Sequence, residues 1–354
     1  MDDPANKMKD PRVSVLILNW NGEKLLKEFL PAVIRHTDPA LAEIVVADNH
    51  SSDASLSLLA TEFPGVRVLS LEENFGYAGG YNRAVAQVNN EYVVLLNSDV
   101  EPGEGWLGPL VDLLDRDPRV AAVQPKIRAY RDKSRFEYAG ACGGYIDRYG
   151  FPFCRGRILG VTETDTGQYD EEAEVFWSTG AAFCIRRALY LEAGGLDERF
   201  FAHMEEIDLC WRLRNSGYSI KVVPAGVVYH LGGGTLPMNH PGKLFLNYRN
   251  SLLMLYKNTP AARRRKIFPV RRAIDLSARI LFLLKGEFAN ARAVGRAYRE
   301  FRQLKKHYRE PAVAFRGDCI LRSSILWAFY LRKIDRFSQL TSAMWENGAV
   351  EISS

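Results

Sequence analysis

Along the first hundred residues, short apolar runs alternate with stretches whose apolar positions recur every three or four residues. The runs at 13–18 (VSVLIL), 44–47 (IVVA), 66–69 (VRVL) and 92–96 (YVVLL) are β-rich and largely continuous in apolar character. That is the pattern of strands buried on both faces, as parallel strands are. Between them, 23–34, 54–62 and 79–88 carry helical spacing. Strand, helix, strand repeated three times predicts a parallel sheet with crossover helices. Polar residues crowd the end of each run: Asn19, Trp20 and Asn21; Asp48 and Asn49; Asn74; Asn97, Ser98 and Asp99. In an open α/β sheet the carboxyl edge of the strands is where ligands bind.

Residues 130–176 have weak periodicity and are rich in Gly, Tyr and Arg, so they read as loop and short strand. A second block holds the apolar run 175–186, a helix from about Arg187, and two short strands at 220–223 and 227–230. From Lys243 onward the pattern is helical, basic and amphipathic, with breaks expected at Pro260, Pro269 and Pro311. The chain therefore divides into an α/β part, 1–242, and a helical part, 243–354.

Charge sharpens that division. The whole chain of 354 residues carries a net charge of only +5, but the first part has 24 Lys+Arg against 34 Asp+Glu and the second 23 against 8. A basic helical segment calls for an anionic partner. Arg263, Arg264, Arg265, Lys266, Arg271 and Arg272 precede the apolar run 280–284, and a second basic amphipathic stretch spans 292–309. This suits helices on an anionic membrane surface. The competing reading is a solvated face on helices packed against the α/β part or a second subunit in a homodimer. No run of about 18 uncharged apolar residues exists, so no spanning helix is expected, and the first twelve residues lack the apolar core of a signal peptide. Five scattered cysteines without a CxxC pair argue for reduced thiols and a cytoplasmic setting, on the inner face of the membrane if the tail binds it.

Several groups could carry chemistry. Asp99, at the end of a strand, could offer a hard oxygen to Mg²⁺ or Mn²⁺, or could simply shape a turn. Asp48 could accept from a ribose or base, with Ser51, Ser52 and Asp53 following; capping the next helix is the alternative. The stretch from Asn74 to Asn82, with Gly76, Gly79 and Gly80, is a glycine-rich turn into a helix that could approach an anion. It has neither dinucleotide nor P-loop glycine spacing. Glu205, Glu206 and Asp208 crowd a helix start, where they could complement its dipole or furnish a general base of raised pKa. His230 ends a strand before Gly232, Gly233 and Gly234, as a structural histidine or a ligand.

In order, VSVLILNWNG, IVVADNHSSDAS, ENFGYAGGYNRA, YVVLLNSDV, WSTGAAFCIRR, GGLDERFFAHMEEIDLCWRLRNSGY and VVYHLGGGT resemble glycosyltransferase family 2, inverting enzymes of the GT-A fold, and most nearly its rhamnosyltransferase-like branch. The resemblance spans about 13–249. It implies a Rossmann-like, mostly parallel sheet flanked by helices, with a helical extension. It also implies a metal-dependent hexosyltransferase taking a nucleotide diphosphate sugar, dTDP-rhamnose first and UDP-hexoses next. The acceptor would be a glycan or polyprenyl-diphosphate-linked glycan of cell-surface polysaccharide synthesis. By resemblance Trp20 stacks on the base between Asn19 and Asn21. Asp48, Asn49, Ser51, Asn74, Gly76, Gly79, Gly80, Asn82, Asn97, Ser98, Thr179 and Gly180 form the donor site. Asp99 and His230 hold the ion, Mg²⁺ or Mn²⁺, although Asn97 replaces the first acid of the family's DxD motif and so leaves one charged ligand fewer. Glu206 is the base, with Glu in place of the commoner Asp, and Glu205 or Asp208 stands as its alternate. Nucleic-acid binding is disfavoured: the α/β part is acidic and RNP, KH and zinc signatures are missing. A catalytically inactive sugar-nucleotide-binding scaffold and a nucleotidyltransferase are the other readings. Retention of Asp99, Glu206 and His230 speaks against the first. For the second, no Lys/Arg-bearing glycine loop follows the first strand.

Overall fold

The computed structural model describes residues 11–232, 240–309 and 315–346. The α/β part runs β1 (Val13–Asn19), α1 (Glu23–His36), β2 (Ala42–Asp48), α2 (Ser55–Glu62), β3 (Arg67–Ser70), α3 (Gly76–Ala86), β4 (Tyr92–Asn97), β5 (Val100–Pro102), α4 (Gly108–Arg116) and β6 (Val120–Ala129). Five short strands follow: β7 (Gly144–Asp147), β8 (Pro152–Cys154), β9 (Arg157–Ile158), β10 (Val161–Thr162) and β11 (Ala173–Val175). Then come β12 (Ala182–Arg186), α5 (Arg187–Glu192), α6 (Glu205–Asn215) and β13 (Ser219–His230). The tail comprises α7 (Pro241–Asn258), α8 (Ala261–Leu284), α9 (Phe288–Leu304), β14 (Ile320–Leu321) and α10 (Ile325–Arg332).

The main sheet has the order β11-β13-β6-β12-β4-β1-β2-β3, with β5 beside β13. It is parallel through β4, β1, β2 and β3, as the alternating pattern requires, and parallel again between β13 and β6. Antiparallel β12 lies between these two halves. Both faces are buried, so Val15, Leu16, Val45, Val46, Val94 and Leu95 have almost no exposure. The segment read as loop and short strand forms most of a second, five-stranded sheet, β10-β9-β8-β7-β14, whose last strand comes from the tail.

Two expectations change. The strands expected at 220–223 and 227–230 are one strand, β13, with a register shift between Val223 and Val227. A bulge keeps it continuous where the chain must bend, and a Cβ at Gly226 would stand 2.5 Å from the Trp106 carbonyl oxygen. Pro269 does not break α8. The bond its ring removes is the one to Arg265, which is exposed, so water can replace it. Pro260 does separate α7 from α8, while Pro311 lies outside the described residues, as do Gly233 and Gly234.

The tail is built into the α/β part. Leu252, Leu253, Met254 and Leu255 of α7, with Ile267, Phe301, Cys319 and Leu321, share one buried cluster with Leu16, Leu95 and Phe183 of the main sheet. Among the described residues, no helix is long and apolar enough to cross a membrane.

Candidate active site

Register places the polar strand ends side by side. Asn19 pairs with Asp48, Leu18 with Asn97, and Asp48 with Ser70. Asn19 donates from Nδ2 to Asp48 Oδ1 at 3.0 Å and to the Ser51 hydroxyl at 3.2 Å, while Ser51 N–H donates to Asp48 Oδ2 at 2.9 Å. Asn21 N–H donates to Ser51 Oγ at 2.9 Å, and Asn21 Oδ1 accepts from Ser52 N–H at 2.7 Å. Asn49 bridges the next turn: its Nδ2 donates to Asn74 Oδ1 at 2.9 Å and to the Gly76 carbonyl at 3.1 Å. These bonds fix three loops along one sheet edge. Trp20 stands beside them with 53% of its surface exposed, an aromatic face free to meet a planar group.

Farther along the same edge, Asp99 and His230 meet. Their strands pair with Val100 opposite His230, and His230 Nε2 lies 3.1 Å from Asp99 Oδ1. On the other side of the ring, Nδ1 lies 3.5 Å from Glu137 Oε2, an ion pair without a hydrogen bond. Burial opposes a charged imidazole, but Glu137 and Asp99 outweigh it and raise His230 to about 10. Burial likewise works against the Asp99 carboxylate, which His230 nonetheless holds below its usual range. Two atoms bound cis to one octahedral ion at about 2.1 Å would stand about 3 Å apart, so the Asp99 and His230 donors fit a shared divalent cation. Imidazole would lose its proton on ligation. Among the described residues no cluster of three or more protein ligands forms, so an ion here would take further oxygens from elsewhere.

The carboxylates of α6 separate sharply. Asp208 is fully buried and accepts from Lys257 Nζ at 2.8 Å, Arg212 Nε at 2.9 Å and Asn258 Nδ2 at 2.8 Å. Burial works against its charge, but Lys257 and Arg212 prevail and lower its pKa. It pins α6 to α7 and drops out as a candidate base. Burial, Glu206 and Asp208 push Glu205 well above the carboxylate range. Burial also pushes Glu206 up to about 7. Each of these two glutamates has a buried carboxyl oxygen lacking a hydrogen-bond partner among the described residues. Tyr77 links them to the sheet edge. Its hydroxyl donates to the Gly180 carbonyl at 2.9 Å, and burial, Tyr81, Glu205 and Glu206 raise its pKa. Tyr81 stacks edge-on against Tyr77 at 4.8 Å and donates to the Leu96 carbonyl, near Asp99. The row from Asp48 to His230 is thus continuous.

The turn that delivers Glu205 and Glu206 is strained. Phe201, His203 and Met204 have φ of 64°, 71° and 73°, the left-handed region that costs a side-chain-bearing residue of order 1 kcal/mol or more each. The tail holds it: Asn250 Nδ2 donates to the carbonyls of Phe200, Ala202 and His203 at 2.8–2.9 Å, and Arg249 Nη2 to those of Arg199 and Phe200. Gly76 enters the same place, since a Cβ there would meet the Phe201 ring at 2.8 Å.

Four other expected donor residues serve the scaffold. Asn82 is a correction: its Oδ1 accepts from Tyr190 Oη and Leu196 N–H, and its Nδ2 donates to the Leu196 carbonyl. It lies almost two turns into α3 and joins that helix to the loop after α5. Gly79 and Gly80 are buried packing positions, where a Cβ would reach Phe75 at 2.9 Å and Leu18 at 2.6 Å. Thr179 is buried, its N–H donating to Gln124 Oε1 at 2.9 Å. Asn97 and Ser98 are half-buried beside Asp99. Sequence reasoning missed Glu137, Tyr77 and Asn250. Tyr77 sat inside a stretch already singled out, whereas Glu137 lies in a segment without periodicity and Asn250 in a helix read only as basic.

The family model for "Glycosyl transferase family 2" matches residues 14–168. The N-acetylglucosaminyl-diphospho-decaprenol L-rhamnosyltransferase of Mycobacterium tuberculosis is 30% identical over 232 residues, covering 61% of this chain and 75% of that protein. Among solved structures, GalNAc-T7 with UDP, GalNAc and Mn²⁺ superposes with a TM-score of 0.51 at 20% identity, over 66% of this chain and 48% of that one. The mannosyltransferase PcManGT of Pyrobaculum calidifontis, in complex with GDP-Man and Mn²⁺, gives 0.50 at 17%, over 83% and 75%. Sequence likeness and a shared GT-A fold agree with the row of side chains on the sheet edge, and the chain belongs to glycosyltransferase family 2.

Proposed function

We propose that the protein is an inverting hexosyltransferase. It would move a sugar from a nucleotide diphosphate donor, dTDP-rhamnose or a UDP-hexose, to a hydroxyl of a glycan or polyprenyl-diphosphate-linked glycan in cell-surface polysaccharide synthesis. The mycobacterial rhamnosyltransferase named for a decaprenol-linked substrate supports both the sugar and the lipid-linked acceptor. The observation that carries the reading is the continuous row from the Asp48 loops through Tyr81 and Tyr77 to a glutamate pair of raised pKa.

In this reading Trp20 takes the base, Asp48, Asn49 and Ser51 its ribose side, and Asn97 and Ser98 face the diphosphate. Glu206, titrating near 7, accepts the proton of the acceptor hydroxyl as its oxygen bonds to the anomeric carbon. The bond from that carbon to the diphosphate oxygen breaks, and the nucleoside diphosphate departs on the opposite face. Asp99 and His230 would hold Mg²⁺ or Mn²⁺, which supplies charge neutralisation at the diphosphate. Residues 1–242 form the catalytic unit and 243–354 its basic helical cover, at the cytoplasmic face of the membrane.

Thermal shift against dTDP- and UDP-sugars with Mn²⁺, followed by product formation with the stabilising donor, tests the proposal. One donor should raise the melting temperature and yield a product of inverted anomeric configuration. EDTA should depress the rate and added Mn²⁺ restore it. Donor binding without transfer to any glycan acceptor would favour the scaffold reading, and rates unchanged in chelator would remove the metal.

A further inference from the structure

In a helix packed on a protein, the buried stripe is apolar and the outer face polar. The second half of α8 reverses this. Its inward stripe carries Arg271 and Asp275, both almost fully buried and paired at 3.0 Å, with Tyr298 Oη donating to Asp275. Its outer face carries Leu276, Ile280, Leu281, Leu283 and Leu284, and the turn into α9 adds Phe288. All six are exposed, Leu284 to 80% and Phe288 to 58%. The hairpin tip from Arg279 to Ala289 is exposed at every residue but Phe282. A set of leucines facing water at a helical tip is costly unless it meets an apolar medium.

The rim says which medium. Arg272, Arg279, Lys285 and Arg292 flank the tip, are exposed, and form no ion pair among the described residues. The single acid at the turn, Glu287, accepts from Asn290 Nδ2. Long cationic side chains around an apolar tip match the layering of a bilayer surface, with the stems along acyl chains and the charges at lipid phosphates.

We propose that the tip of the α8–α9 hairpin inserts into the interfacial layer of an anionic lipid bilayer, with Ile280, Leu281, Leu284 and Phe288 among the acyl chains. Arg279 and Lys285 sit at the headgroups. Insertion reaches about 5–10 Å, the depth of interfacial helices. It is a point anchor, distinct from a basic helix lying flat on charge alone. Vesicle binding needs neither donor nor acceptor, so its failure and that of the transferase reading are separable.

Sedimentation with vesicles of phosphatidylcholine, with and without phosphatidylglycerol, tests the anchor on the full chain. Wild type should bind the anionic vesicles and bind neutral ones at least tenfold more weakly. Ile280→Asp/Leu284→Asp should lose roughly a hundredfold in partitioning, from the loss of two buried aliphatic side chains, with an unchanged circular-dichroism melt because both sites are exposed. Arg279→Gln/Lys285→Gln should lose most of the preference for anionic lipid. Undiminished binding by the aspartate variant would overturn insertion. So would sedimentation velocity showing wild-type self-association that the aspartate variant abolishes, since a second copy would then cover the tip.

Discussion

Glu205 and Glu206 are neighbours in sequence with different electrostatic situations, and Asp208 two residues on has a third. Burial and like charge push Glu205 well above the carboxylate range, burial raises Glu206 to about 7, and Lys257 with Arg212 lowers Asp208. The turnover rate should therefore rise as pH increases through about 7, where Glu206 becomes able to accept a proton. Glu206→Gln should keep donor affinity and lose 10²-fold or more in kcat, the usual weight of a general base; near-normal turnover would reject it. Asp208→Asn should act on stability, because it removes the charge from a buried carboxylate to which Lys257, Arg212 and Asn258 all donate, at a cost of about 1–3 kcal/mol. The folded state holds Asp208 below its ordinary value, so its contribution is present above pH about 4 and lost on further acidification; chemical denaturation at pH 7 and pH 3 reads both effects. Asn250→Ala removes three hydrogen bonds to the strained turn, and kcat should fall about tenfold or more while donor KM stays within twofold. A circular-dichroism melt showing a matching loss of folded protein at the assay temperature would mean general unfolding instead. The strand-end residues were legible in the sequence because Asn, Asp and Trp after an apolar run belong to one short segment. The sorting of the three acids was not, since Lys257 lies 49 residues beyond Asp208 and Asn250 about as far from the turn it holds.

At the scale of elements, local periodicity served well wherever a strand was buried on both faces. β1, β2, β3 and β4 begin and end within two residues of the apolar runs that mark them. It failed where a breaker was offset by position. Pro269 sits on the exposed side of α8, where a lost backbone bond is repaired by water, and 224–226 are bridged by a bulge between well-formed pairings on either side. The small strands β7 to β10 left no trace of period because each spans two to four residues, too few for alternation to register. α7 has a larger consequence. Read as part of a basic tail, it carries Leu252, Leu253, Met254 and Leu255 in full burial alongside Arg249 and Asn250. Leu253→Ala should cost about 2–5 kcal/mol, the range for buried leucines. Chemical denaturation would show it as a lower midpoint with an unchanged slope. A cost below 1 kcal/mol would mean that α7 is only loosely docked.

For the whole molecule, charge and core divide the chain differently. By charge, 1–242 is acidic and 243–354 basic, with 34 acids against 24 bases in the first and 23 bases against 8 acids in the second. By packing no such seam exists, because the apolar cluster on one face of the main sheet also contains residues of α6, α7, α8, α9 and the strand β14. Polar contacts cross the boundary in the same sense: Lys257 pairs with Asp197 and Asp208, and Arg249 donates to the Arg199 and Phe200 carbonyls at the strained turn. The excess of bases in the tail therefore does two jobs, pinning its inner helices to the acidic α/β part and leaving the outer cations of the α8–α9 hairpin free for lipid. A shared core predicts a single cooperative unfolding transition for the full chain, since α7 cannot leave without exposing the leucines that also line the sheet. Calorimetry should give equal van't Hoff and calorimetric enthalpies, and a nucleoside diphosphate with Mn²⁺ should move that one transition upward as a unit. Two resolved transitions, with the ligand shifting only one, would show that the α/β part folds independently of its helical cover and that the tail does not help to build the catalytic turn.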